Sequence, residues 1–261
     1  PIRNIYILLG LGFGFALGIG ISMVRKFLDN SIKNEDDIFG IPLLAAIMYD
    51  VTASEKPLIS SLSRYAVRTE AFRSLRSNIK YVVPSVRAQV IAVSSALPNE
   101  GKTTTATNLA ISLAQGGNRV VIVEADMRRP NVTKYLELNS KKGGLSHILQ
   151  STKSLNLKLI KEQIEKAEVK GLEILCSGTI PSNPSELLGS GNFQDVIEIL
   201  RRNYEFVIVD CPPLLPVTDA AVVSTVTDGV LLVIHAGKTR KTELLGSRAA
   251  IESVNSRIIG V

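Results

Sequence analysis

The stretch Ala96-Leu97-Pro98-Asn99-Glu100-Gly101-Lys102-Thr103-Thr104 constrains the fold of this chain more than any other. An apolar run, Val90-Ile91-Ala92-Val93, precedes it and predicts a buried strand. Residues 105–114 follow with apolar side chains at helical spacing, among them Leu109, Ile111 and Leu113. A strand, a small-residue loop, Gly-Lys-Thr and a helix is the context that a phosphate-binding loop requires. Backbone N–H groups at such a helix start point at the ligand, and the helix dipole favours an anion there. Pro98, Asn99, Glu100, Gly101, Lys102, Thr103 and Thr104 are therefore the expected nucleotide-binding residues. Lys102 reaches the β- and γ-phosphates, and the Thr103 hydroxyl is a ligand for Mg²⁺. Ala96 stands where the usual pattern begins with glycine, a position that tolerates a small side chain if its φ is negative.

Two further strands end in acid. Residues 119–123 run into Glu124-Ala125-Asp126-Met127-Arg128-Arg129-Pro130, and Phe206-Val207-Ile208-Val209 runs into Asp210-Cys211-Pro212-Pro213. Carboxylates at the C-terminal ends of parallel strands face the crevice where ligands bind. Asp210 has the Walker B position and is the second expected Mg²⁺ ligand beside Thr103. Strands are also predicted at Leu43–Met48, Leu172–Leu175, Gly229–Ile234 and Arg257–Val261, and helices at Arg64–Tyr81, Leu145–Gln150, Phe193–Arg202 and Thr239–Val254. The series gives an α/β fold of the P-loop NTPase kind, a mostly parallel sheet with helices on both faces. Gly178–Gly191 reads as a loop, Lys153–Lys170 as polar chain of weak periodicity, and Val217-Thr218-Asp219 as the cap of a helix. Cys176 and Cys211 have neither disulfide-framework nor metal-ligand spacing, and His147 and His235 stand alone, so all four read as structural.

Ile5–Val24 carries no charge over about 20 residues, which as a helix spans roughly 30 Å, the thickness of a bilayer core. Arg25 and Lys26 end the run and place the bulk of the chain on the cytoplasmic side of a cell membrane. The expected organisation is a transmembrane helix with flanks over 1–27, a juxtamembrane linker over 28–63 and a P-loop domain over 64–261. A net charge of +6 is spread among acids rather than clustered with aromatics, which argues against nucleic acid as a partner. In the 64–81 helix, Glu70, Arg73 and Arg76 recur every third residue and lie near one face.

The P-loop, the acidic-x-Asp-x-Arg segment, the Asp-x-Pro-Pro segment and Glu70-x-x-Arg73-x-x-Arg76, in this order and behind a membrane helix, resemble the bacterial tyrosine kinases of capsule and exopolysaccharide synthesis. Gly178-Thr-Ile-Pro-Ser-Asn-Pro-Ser-Glu-Leu-Leu and Pro213-x-x-Pro216-Val-Thr-Asp219 are similar to segments of that family. The resemblance implies an ATP- and Mg²⁺-dependent protein-tyrosine autokinase with Lys102, Glu124, Asp126 and Asp210 as catalytic residues. It implies Glu70, Arg73 and Arg76 as the contacts of a ring-shaped homo-oligomer. Further implied partners are a Wzz-like polysaccharide co-polymerase module, whose end the first 49 residues resemble, and a tyrosine phosphatase. Glu124 departs from the commoner Asp. The family's tyrosine-rich tail is expected beyond Val261, since Tyr6, Tyr49, Tyr65, Tyr81, Tyr135 and Tyr204 do not cluster. Two other readings share the fold: a partitioning or septum-placement ATPase, and a nucleotide-dependent membrane scaffold for polymer export. The ATPases carry an extra lysine early in the loop, where this chain has Leu97, Pro98, Asn99 and Glu100.

Overall fold

A computed structural model describes residues 2–48, 50, 55–63, 65–82, 89–138, 140, 142–152 and 154–261. In chain order, α1 (Ile2–Leu28) and α2 (Val67–Val82) precede β1 (Gln89–Ser95), α3 (Lys102–Gln115) and β2 (Val120–Glu124). Short helices α4 (Val132–Tyr135), α5 (Gly144–Leu149) and α6 (Leu157–Gln163) lead to β3 (Glu165–Lys166) and β4 (Leu172–Leu175). The chain closes with α7 (Pro184–Leu188), α8 (Gly191–Asn203), β5 (Phe206–Asp210), α9 (Asp219–Ser224), β6 (Gly229–Val233), α10 (Lys241–Glu252) and β7 (Ile258–Gly260).

The sheet order is β3-β4-β2-β5-β1-β6-β7, parallel except for β3, which runs antiparallel to β4. Successive strand residues point to opposite faces, so each strand feeds two cores. Val90, Ala92, Val121, Val123, Val207 and Val209 pack with Phe193, Val196 and Leu200 of α8. Ile91, Val93, Ile122 and Ile208 pack with Leu109 and Leu113 of α3 and with Phe72, Leu75 and Ile79 of α2. A strand covered by helices on both sides has no polar face, which is why these segments read as continuous apolar runs.

Strand order is what positions the site. β5 lies between β1 and β2, so the two acidic strand ends converge beside the loop that leaves β1. Asp210 is in register with Val93 on one side and with Glu124 on the other.

Several expectations are corrected. Leu43–Met48 is not a strand; Leu44 N–H donates to Val261 O at 2.8 Å and Val261 N–H to Pro42 O at 2.9 Å, a contact too brief to make a ladder. The stretch expected as a linker packs on the domain where it is described: Ile32, Ile38, Ile41, Leu44 and Ile59 are buried. Its apolar residues are spaced widely enough to escape a periodicity reading, yet Ile32, Ile38 and Ile41 join one core and Leu44 and Ile59 the other. Lys153–Lys170 holds α6 and β3, and the expected loop at Gly178–Gly191 holds α7. Tyr49, residues 51–54 of the expected linker, Arg64 at the expected helix start and Lys153 lie outside the described residues. Within α1, Gly10–Phe27 has a mean hydropathy of 1.2 and none of it is buried against the rest of the chain, so by length and composition it can cross a membrane.

Candidate functional site

The loop after β1 turns twice through left-handed backbone, at Asn99 (φ 65°) and Gly101 (φ 94°). Ala96 is not among the positive-φ residues, which is why alanine serves where glycine is usual. Gly101 is the N-cap of α3, so Lys102, Thr103 and Thr104 open the helix with their N–H groups at its positive end. The loop is held from within: Leu97 N–H donates to Glu100 Oε2 at 2.8 Å, and the Thr239 hydroxyl donates to Glu100 Oε1. That second tie joins residues 139 positions apart, and no local pattern announces it.

Lys102 reaches the acidic strand ends. Its Nζ lies 2.7 Å from Asp126 Oδ2, 3.1 Å from Thr103 Oγ1 and 3.8 Å from Asp210 Oδ1. Thr103 Oγ1 donates to Asp210 Oδ2 at 2.8 Å. Lys102, Thr103, Asp126 and Asp210, read separately from the sequence, thus form one buried group. Glu124 is also wholly buried, but its oxygens are engaged elsewhere: Oε1 accepts from Val132 N–H at 2.6 Å and Oε2 from Ser177 N–H at 3.0 Å. Its extra methylene spans from the end of β2 to the backbone after β4, a reach that aspartate lacks.

The electrostatics follow from Lys102 facing an excess of carboxylates. Burial raises the Asp210 pKa to about 7, opposed by Lys102 and the Thr103 hydrogen bond and assisted by Asp126 and Glu124. Burial alone would lower the Lys102 pKa; the Asp210 and Asp126 carboxylates outweigh it and hold the ammonium above its ordinary value. Asp210 Oδ1 is buried and accepts no hydrogen bond. Such an orphaned acceptor is what a divalent cation would satisfy, with the Thr103 hydroxyl beside it. Among the described residues no three His, Cys, Asp or Glu side chains form a metal cage. An orphaned Asp210 oxygen beside the Thr103 hydroxyl fits Mg²⁺, which keeps several waters and binds through one or two carboxylates plus substrate phosphates.

Arg128 and Asp219 form a network that sequence reading missed. Val217-Thr218-Asp219 reads as a helix cap and does lead into α9, but the N-cap Thr218 makes no side-chain cap bond and Asp219 looks elsewhere. Instead its buried carboxylate accepts from Arg128 Nε at 2.8 Å, from Arg128 Nη2 at 3.1 Å and from the Ser185 hydroxyl. Desolvation would raise the Asp219 pKa, but these donors hold it below the usual carboxylate value. The arginine ties the segment after β2 to α7 and α9 at the rim of the site.

The α2 residues divide. Glu70 and Arg73 pair with each other on the surface. Arg76 turns inward, donating from Nη1 to Ser112 O at 2.7 Å near the C-terminal end of α3 and packing on Gly116. Cys176 and Cys211 are both buried and free; burial pushes the Cys176 thiol up to about 12 and raises that of Cys211 as well.

Comparison with known proteins agrees with this geometry. A family model described as an AAA domain matches residues 88–254. Tyrosine-protein kinase YwqD of Bacillus subtilis is 32% identical over 206 residues, covering 79% of this chain and 84% of that protein. The kinase domain of Escherichia coli tyrosine kinase ETK superposes with a TM-score of 0.78 at 26% identity, over 88% of this chain and 92% of that one. The cell division ATPase MinD of Pyrococcus furiosus, at 21% identity and a TM-score of 0.55 over 66% of this chain and 69% of its own, shares the fold.

Proposed function

The chain belongs to the bacterial tyrosine-protein kinase family and is a protein-tyrosine kinase; on that premise we propose that Lys102, Thr103, Asp126 and Asp210 carry transfer of the ATP γ-phosphoryl group to tyrosine. The observation that carries this reading is the orphaned Asp210 Oδ1, buried beside Thr103 Oγ1 and Lys102 Nζ at the head of α3.

When bound, Mg²⁺ neutralises charge on the β- and γ-phosphates. Asp210 and Thr103 would hold it. The N–H groups of Gly101, Lys102, Thr103 and Thr104 cradle phosphate oxygens, while Pro98, Asn99 and Glu100 shape the loop around them. Lys102, freed from its carboxylates by competing phosphates, donates to the transferring group. Asp126 Oδ2, released by Lys102, accepts the proton of the acceptor hydroxyl, and its Oδ1 stays fixed by Arg129 N–H at 3.0 Å. Glu124 is a positioning residue, because both its oxygens already serve backbone donors.

The finer reading is an autokinase anchored at the cell membrane through α1, with its kinase domain, 64–261, in the cytoplasm. Residues 1–27 form the anchor, and 28–63 join it to the domain. Glu70 and Arg73 carry the contact of a ring-shaped homo-oligomer, and Arg76 braces the helix behind them. The kinase would act with a Wzz-like co-polymerase module to regulate capsule or exopolysaccharide polymerisation, and a tyrosine phosphatase would reverse it. The direct test is ATP binding with and without Mg²⁺. The Mg²⁺-dependent gain in affinity should vanish in Asp210→Ala, and an unchanged gain would overturn the metal assignment.

A further inference from the structure

The end of the sheet opposite the phosphoryl-transfer site carries a cleft of about 470 Å³. It lies where β2, β4 and β5 begin, between Arg119, the Val169–Gly171 turn and Tyr204, a volume within the roughly 300–1,000 Å³ of small-ligand sites. Its one carboxylate, Glu173, is answered internally: Lys161 Nζ lies 2.6 Å from Oε2, and the Tyr204 hydroxyl donates to the same oxygen. Burial would raise the Glu173 pKa, but these donors, with the charge of Lys166 across the β3–β4 ladder, hold it below its ordinary value. Lys161 also sits 4.7 Å from the centroid of the Tyr204 ring.

With Glu173 satisfied, the remaining cations face the cleft in excess. Lys166 and Lys170 are exposed on its rim and make no salt bridge among the described residues. Arg119 stands opposite, its side chain 71% exposed and only loosely paired with Glu205 at 3.8 Å. The walls between them are apolar, from the half-buried side chains of Ala167 and Val169. A bare phosphate would use the cations and leave the walls idle, and an apolar ligand would use the walls alone. An aryl phosphate monoester uses both, its dianion meeting Lys166, Lys170 and Arg119 in charge-assisted hydrogen bonds.

We propose that this cleft binds the phosphotyrosyl side chain, the product of the chain's own reaction. The inference rests on the kinase reading, and it gives the product a site remote from the one that makes it. A phosphorylated segment of one copy can then be held by another without blocking ATP.

The test uses the full chain, its P-loop filled with a non-hydrolysable ATP analogue so that the catalytic site is closed to the probe. N-acetyl-O-phosphotyrosine amide is titrated by calorimetry, with N-acetyltyrosine amide and inorganic phosphate as comparators. Saturable binding of the aryl phosphate is expected, at least tenfold tighter than either comparator. It should weaken at least tenfold in Lys166→Glu/Lys170→Glu and by a smaller factor in Lys166→Gln/Lys170→Gln, both with unchanged thermal melting. No saturable binding, or binding indifferent to the charge-reversed pair, overturns the proposal. So does inorganic phosphate that binds as tightly, which would mark an adventitious ion only. Phosphotyrosine formation by the same proteins, given ATP and Mg²⁺ in place of the analogue, reads the kinase assignment separately, so lost binding with intact transfer sinks the cleft alone.

Discussion

Replacing Lys102 by methionine removes the charge expected to meet the phosphates, but the structure adds a consequence in the absence of nucleotide. Lys102 is the cation placed among Asp126 and Asp210, with buried Glu124 in the strand beside them. Breaking a buried pair by removing one partner costs about 3–5 kcal/mol, because the other charge stays uncompensated. At roughly 2–4 °C per kcal/mol for a domain of this size, melting should fall by ~6–20 °C. The loss depends on pH. The folded-state pKa of Asp210 is already raised to about 7 from 3.8, so its favourable contribution is complete below 3.8 and lost as pH rises through 7. Without Lys102 that pKa rises further, so the variant's folded state retains a proton where wild type has released it, and its stability falls more steeply above neutrality. Melting of ligand-free Lys102→Met by scanning fluorimetry at pH 6 and pH 8.5 should show a deficit clearly larger at pH 8.5. Equal deficits, or none at either pH, would refute the view that Lys102 balances the buried acids.

Glu124→Asp should destabilise the fold, since the shorter carboxylate cannot reach both Val132 N–H and Ser177 N–H and an orphaned buried donor costs about 1–3 kcal/mol. Asp126→Asn should melt closer to wild type yet lose more phosphoryl transfer, and melting curves paired with initial rates will show whether the two effects separate in this way. Arg73→Ala should shift the proposed ring toward monomers in light scattering with little change in melting, because the Glu70–Arg73 pair is exposed. Arg76→Ala should lower stability by roughly 0.3–2 kcal/mol in urea titration, the worth of a cation near a helix C-terminus.

Much of the site was legible because its parts obey local rules. Gly-Lys-Thr between a strand and a helix has few other uses, and an acid ending an apolar strand faces the crevice once the strand is parallel. What brings Asp126 and Asp210 onto Lys102 is strand order, with β5 inserted between β1 and β2, and that is a long-range fact. Arg128, Asp219 and Ser185 were visible as residues but not as a unit, because their contacts span 34 to 91 positions. The contact of Arg76 was hidden for a different reason: helical spacing puts it near Arg73, but the inward turn of its side chain depends on the α3 carbonyl beneath it. The 28–63 stretch hid its isolated apolar residues among charges, since single buried residues carry no period.

The group built from Lys102, Thr103, Asp126 and Asp210 should move phosphate to tyrosine rather than to water. The measurement is a balance: ADP formed and phosphotyrosine formed in the same reaction of the full chain with Mg²⁺, ATP and a tyrosine-containing peptide, the second read by mass spectrometry. Wild type should form phosphotyrosine, and both Asp126→Asn and Asp210→Ala should lose it. ADP and free phosphate released in equal amounts with no phosphotyrosine, or phosphotyrosine persisting in Asp210→Ala, would contradict that assignment.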